Sequence, residues 1–238
     1  MLITSAGIVL NTINYSETSL VARIFTEHHG LQSFMVKGVR KKGASVKRNL
    51  FAPLSLVNLV YYFKEREGLQ VLKEISVSHH LHGIMSEMTK SAVLLFMNEL
   101  LNHSINQGMP DKSLFQFIEN EILLLENSQI PTAVFPLHFI IGLSSALGFA
   151  PIENYSSEYN YFDLTEGSFK NSLPPHNYYI AEPQSELLSH MLQNNIAAIS
   201  THNSRTILLS NMLDYLKLHL QGFGDIKSHL ILAEVLRD

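Results

Sequence analysis

The chain contains no cysteine. Disulfides, thiolate zinc sites and a cysteine nucleophile are therefore excluded. The absence fits a reducing compartment. Charge is also sparse, at 16% of residues against 46% hydrophobic, which is a globular rather than a disordered composition. Long apolar runs are missing too. The longest uncharged stretch, residues 127–152, is broken by Pro131, Pro136 and His138 and by several Ser and Thr. A membrane span needs about 20 mostly apolar residues, so this stretch reads as a buried helix. The opening MLITSAGIVLNTINYSET lacks the basic region and apolar core of a signal peptide. These absences lead us to expect a soluble, cytoplasmic protein.

Catalytic signatures are absent as well. There is no GxSxG, HExxH, P-loop or GxGxxG motif. Glu119 and Glu121 lie two apart on a helix and point in different directions, so they form no acid/base couple. The histidines His28, His29, His79, His80 and His82 cluster in sequence, but no carboxylate stands at matched spacing. We read them as solvated or hydrogen-bonded, and His219 and His229 as exposed or capping. The expectation is no enzyme, no metal and no cofactor.

What is present is an uneven charge. Residues 1–80 hold ten Lys and Arg against five Glu, net +5, while residues 81–238 hold seven against sixteen, net −9. The total of −4 averages a basic front and an acidic back. Such asymmetry hints at nucleic-acid contact by the basic part. The charge peaks in VKGVRKKGASVKRN, residues 36–49, which carries Lys37, Arg40, Lys41, Lys42, Lys47 and Arg48 with no acid between them. Gly38 and Gly43 let the backbone approach a ligand closely.

The periodicity divides at about residue 80. Five segments alternate and are rich in β-branched or aromatic residues: 5–13, 19–27, 31–38, 54–64 and 69–77. Five strands with one long connection, after the third, suggest a small Greek-key barrel of the OB type, a common oligonucleotide-binding architecture. An SH3-like barrel shares the pattern. From residue 83 the spacing turns helical. Asp111 is a natural N-cap for the helix over 112–127, and further helices are expected over 183–195 and 204–221. Residues 152–182 lack a helical period, and YFDLTEGSF within them looks like a short hairpin. The expected class is α+β in two domains, 1–80 and 81–238, with an irregular insert at 152–182.

Clustered Lys and Arg neutralise phosphates and grip nucleic acid without sequence preference. Single-strand binders add aromatic platforms for bases. Phe34, Phe51, Tyr61 and Phe63 flank the basic stretch and are put forward for base stacking, although core is the commoner role for each and the sequence does not say which face of residues 61–63 is exposed. Alternation puts Tyr61 and Phe63 on one side and Tyr62 on the other. An alternative reading is a protein-interaction adaptor whose basic loop docks an acidic partner segment.

The segments GIVLNTINYSETSLVARIFTEHHGLQSFMVKGVRKKGA, NLFAPLSLVNLVYYFKEREGLQVLKEISV, LLFMNELLNHSI, SSALGFAP and YLKLHLQGFGDIKSHLILAEVL carry a likeness that runs in order along nearly the whole chain. The chain resembles the RecO family of bacterial recombination and repair proteins. The resemblance implies an N-terminal OB fold and a C-terminal helical domain. It implies a nucleoid-associated protein that binds single- and double-stranded DNA and anneals complementary strands. Such a protein works with RecR, sometimes with RecF, and with the acidic tail of single-stranded DNA-binding protein (SSB), helping RecA displace it. The family's basic positions map onto Lys37, Arg40, Lys41 and Lys42, with Lys47 and Arg48 as helpers and Arg23 and Lys73 as weaker matches. The SSB-tail contact is expected in the helical domain beside a Lys or Arg, and we put forward Arg205 and Lys217. One departure matters. Many members carry two Cys pairs in a zinc-binding insert, where this chain reads IENYSSEYNYFDLTEGSFKNSLPPHNYY. Zinc is not expected there. Aromatic packing by Tyr155, Tyr159, Tyr161 and Phe162 should hold the segment instead.

Overall fold

The computed structural model describes residues 1–39, 48–64, 68–106, 110–199 and 201–237. The chain forms two compact units. One comprises Met1–Ser86 with Asn98–Glu126, the other Glu87–Met97 with Asn127–Asp238.

The first unit is built on a closed barrel of strands β1 (Leu2–Asn14), β2 (Leu20–Thr26), β3 (Gly30–Val36), β4 (Leu56–Tyr62) and β5 (Leu69–Val77). Neighbours round the barrel run β1-β2-β3-β5-β4, and β3 pairs with β5 in parallel. This closure is the OB-type Greek key. The long β1 serves two partners, pairing β4 through residues 2–8 and β2 through residues 7–14. It can do so because it bends at a bulge between Val9 and Asn11. Gly7 sits where both ladders meet. A Cβ there would stand 2.8 Å from side-chain carbons of Ile24 and Leu59, so only glycine lets the sheet close this tightly.

The barrel core follows the alternation. Val9, Leu20, Ala22, Ile24, Phe34, Leu59 and Tyr61 are buried together. Gln70 is buried among them, and its amide bonds the Lys64 N–H at 2.9 Å and the Lys64 carbonyl at 3.0 Å. A buried amide so satisfied costs little and fixes the end of β4 against β5.

Helices α1 (His82–Ser86) and α3 (Lys112–Glu126) and the second half of α2 (Met88–Ser104) complete this unit. Asp111 caps α3, accepting the Leu114 N–H at 2.9 Å, as the sequence leads one to expect. The Glu126 carboxylate accepts the Gly83 and Ile84 N–H groups at 2.7 and 2.8 Å and so ties α3 to the start of α1.

The second unit contains α4 (Phe135–Ala146), α5 (Gln184–Leu192), α6 (His202–His219) and α7 (Ser228–Val235). Pro136 lies in the first turn of α4, where a missing N–H does no harm. The insert, expected to be irregular, is ordered. Strands β6 (Tyr161–Asp163), β7 (Ser168–Lys170) and β8 (Tyr179–Ile180) form a small sheet, with the anticipated hairpin between β6 and β7. Phe162 and Phe169 pack at 4.9 Å, and Phe162 also meets Tyr215 of α6, whose hydroxyl donates to the Phe149 carbonyl at 2.7 Å. Burial pushes the Tyr215 phenol up to about 12. Of the four aromatics expected to hold the insert, Phe162 is its core and Tyr155 packs on Phe169 at 5.4 Å. Tyr161 meets Tyr179. Tyr159 is exposed, because it falls in a turn closed by Ser156.

Candidate nucleic-acid interface

The register of β2 and β3 fixes where the basic stretch leaves the barrel. Leu20 pairs with Val36, so the β1–β2 turn and the segment after β3 emerge at one end. Lys37 is the first residue beyond β3 and is exposed. Gly38 follows with φ 73°, a conformation that costs glycine nothing. Arg40, Lys41, Lys42 and Lys47 lie outside the described residues. The chain is next described at Arg48, which is exposed and opens a short 3-10 turn, Arg48–Phe51.

That turn is firmly seated. Phe51 enters the barrel core. Leu54, fully buried, takes the left-handed φ of 55° that non-glycine residues avoid. Its N–H donates to the Val9 carbonyl at 2.7 Å, while the Val9 N–H donates to Ser55 at 3.1 Å. Burial and this reciprocal pair offset the backbone strain. Between the turn and the end of β1 runs a groove of about 430 Å³, lined by Thr12, Asn14 and Leu20 on one side and Arg48, Asn49 and Pro53 on the other. No carboxylate lines it among the described residues. A cation, two amides and a hydroxyl are groups that contact phosphate and sugar oxygens.

Three of the expected stacking residues are placed elsewhere. Phe34 and Tyr61 are 0% exposed and Phe51 is 4% exposed, so none offers a ring face to a base. Closing a five-stranded barrel needs large side chains at its centre, and these rings fill that volume. Phe63 is half-buried, and its ring is covered by His29, stacked at 3.9 Å. The His29 Nδ1 lies 2.7 Å from the Tyr61 hydroxyl. Burial, with the neighbouring His28 charge adding to it, holds the His29 imidazole below its ordinary pKa. Tyr62, on the opposite face of the strand from Tyr61, points outward and is 48% exposed. The strict alternation at Tyr61 and Tyr62 was the signal for this, but alternation alone does not say which face is core.

The insert does not fit a zinc ion. It holds no thiolate, and the described residues bring no three His, Asp or Glu side chains together. Its buried carboxylate, Asp163, is already engaged. One oxygen accepts the Thr165 N–H and hydroxyl and the Glu166 N–H at 2.8, 2.6 and 3.1 Å, and the other lies 3.3 Å from His176.

A separate small pocket in the second unit is walled by Pro136, Leu137, Leu209, Leu232 and Leu236, with His202, Arg205 and His229 around it. The Arg205 guanidinium and the His202 ring both bond the Leu236 carbonyl at 3.2 Å. The His229 Nδ1 is buried and has no hydrogen-bond partner among the described residues. Lys217 does not line this pocket; its ammonium is paired with Asp225 at 2.9 Å. No helix among the described residues is long and apolar enough to cross a membrane.

Comparison with known proteins agrees with this architecture. The family model for the N-terminal part of recombination protein O matches residues 1–80, and that for the C-terminal part matches residues 85–228. The chain is 32% identical over 239 residues to DNA repair protein RecO of Azobacteroides pseudotrichonymphae, covering 99% of each chain. It is 31% identical over 243 residues to the protein of that name from Bacteroides fragilis and 30% over 241 residues to that from Flavobacterium psychrophilum, again at 99% coverage of both.

Proposed function

Because this chain belongs to the RecO family of DNA repair proteins, we propose that it is a DNA-binding recombination mediator. It binds and anneals single-stranded DNA and, with RecR, helps load RecA onto strands coated by SSB. It acts without catalytic turnover, in the cytoplasm at the nucleoid. The observation that carries this reading is the OB-type barrel whose third strand leads straight into the six-cation stretch, with Lys37 and Arg48 exposed at its two described ends. Lys37, Arg40, Lys41 and Lys42 are the proposed phosphate contacts, helped by Lys47 and Arg48. The stretch supplies charge and glycine but no aromatic residue between 37 and 48, so it grips backbone and does not read bases.

For the acidic SSB tail, the pocket beside Arg205 is the proposed seat. Its apolar walls suit a hydrophobic terminus, and the guanidinium and two imidazoles suit an adjoining carboxylate.

The test is binding of labelled single-stranded DNA by the wild type and by a variant with Lys37, Arg40, Lys41 and Lys42 changed to Ala, across a range of salt. Weaker binding with a shallower dependence of log affinity on log salt is expected. Unchanged affinity and slope would sink the assignment. The adaptor reading predicts instead that the same variant loses an acidic peptide while keeping DNA.

A further inference from the structure

The register of the barrel aligns a set of side chains that the sequence keeps far apart. Ile13 of β1 pairs with Val21 of β2, Val21 with Met35 of β3, and Met35 with Val71 of β5. Val71 in turn pairs with Tyr62 of β4, and Tyr62 with Leu2 of β1. Directly paired residues share a face. Their chain neighbours Leu20, Phe34, Gln70 and Tyr61 are buried, so the row itself points outward. Ile13, Leu2, Tyr62 and Val71 are between 44% and 57% exposed, and Val21 and Met35 are partly so. One circuit begins at Leu2 and returns to β1 at Ile13, so the row is a spiral band on a strongly sheared barrel.

The band is bracketed by positive charge. Two positions beyond Val21, Met35, Tyr62 and Val71 stand Arg23, Lys37, Lys64 and Lys73. Strands β2 and β4 run one way and β3 and β5 the other. Arg23 and Lys64 therefore flank one side of the band and Lys37 and Lys73 the other. Lys73 has a carboxylate near it, Glu74 at 3.4 Å. Five inter-strand steps give the band a length of about 24 Å. It curves round the barrel, so a flexible strand can follow it and a rigid duplex cannot.

We propose that a single strand of nucleic acid lies along this band, its bases against the apolar row with Tyr62 as the stacking platform, its phosphates toward the flanking cations. Apolar faces alternating with single negative charges are the chemistry of such a strand, and the charge pattern matches it. This rests on the DNA-binding reading above and gives the strand its path.

The test uses a labelled oligothymidylate of about ten nucleotides and the full chain. Tyr62→Ala should weaken binding about tenfold or more with the salt slope unchanged, and Tyr62→Phe should restore it. Arg23→Gln with Lys64→Gln should lower the slope by about 1.4. An oligonucleotide carrying 5-iodouracil should crosslink to Tyr62 in the wild type, a readout independent of any variant's folding. If the wild type binds but crosslinks only elsewhere, or the Tyr62 and cation variants bind as it does, the path is wrong and the DNA-binding reading survives. If Tyr62→Ala leaves DNA binding intact and instead abolishes self-association in sedimentation, the band is a protein-docking face and the proposal falls. If the wild type binds no oligonucleotide, both fall together.

Discussion

Asn102 on α2 donates its side-chain N–H to the main-chain carbonyl of Leu10 at 3.1 Å. Leu10 is the extra residue of the β1 bulge, whose backbone the ladder leaves unpaired. The helix thus supplies the hydrogen bond that the strand's bend gives up. The same amide also donates to the Asn98 carbonyl at 2.8 Å, which holds it in place.

Asn102→Ala strands the Leu10 carbonyl, which its own residue buries to 1% exposure. The expected loss is about 1–3 kcal/mol of unfolding free energy. Urea denaturation of wild type and variant measures it, and an unchanged midpoint would show that the bulge does not depend on the helix.

The partly buried imidazole of His29, beside Tyr61, makes the barrel sensitive to acid. The His29 pKa is lowered in the fold, first by burial and then by His28. The unfolded chain therefore takes up that proton first as pH falls. The stability held by neutral His29 is complete above about 6.5 and is lost below it, down through the folded pKa. His29→Gln should flatten the decline of Tm between pH 7 and pH 5. A variant whose Tm falls as steeply as that of the wild type would assign the acid response to another group.

The sequence made some of these features legible and hid others for physical reasons. Strand alternation, the Asp111 cap and the β6–β7 hairpin are local, and local chemistry announced them. Alternation also separated Tyr61 from Tyr62, but only barrel closure decides which of the two is inside. The bulge at Leu10 and the spiral from Leu2 to Ile13 depend on register, which no local pattern carries. The stacking expectation for Phe34, Phe51 and Tyr61 failed on that point: aromatics beside a basic stretch also fill the core behind it.

The insert should be indifferent to metal and dependent on Asp163. Its carboxyl feels burial, which raises the pKa, but hydrogen bonds from Thr165 and Glu166 and the nearby His176 outweigh this and lower it. A depressed carboxylate stabilises above its unfolded pKa of about 3.9 and loses that contribution as pH falls through the folded value. Asp163→Ala leaves the Thr165 and Glu166 N–H groups without their acceptor and should cost about 2 kcal/mol or more. A chelator such as EDTA should leave Tm unchanged. About one tightly bound zinc per chain, found by metal analysis, would overturn the claim.

Lys37 and Arg48 are the two described ends of the basic stretch, so they can be tested apart from the residues between them. Each phosphate contact on a single strand contributes about 0.7 to the slope of log affinity against log salt. Lys37→Gln with Arg48→Gln should therefore lower the slope by about 1.4 and weaken binding evenly across base compositions. Tyr62→Ala should do the opposite, reducing affinity with the slope intact. Arg48 lines the groove beside Thr12 and Asn14, and Lys37 stands two positions beyond Met35 of the apolar band. If both cations contact one strand, the single changes should each remove about half of the effect on the slope. A full loss from either one alone would mean that the other points to solvent, and that the strand passes only one side of the barrel end.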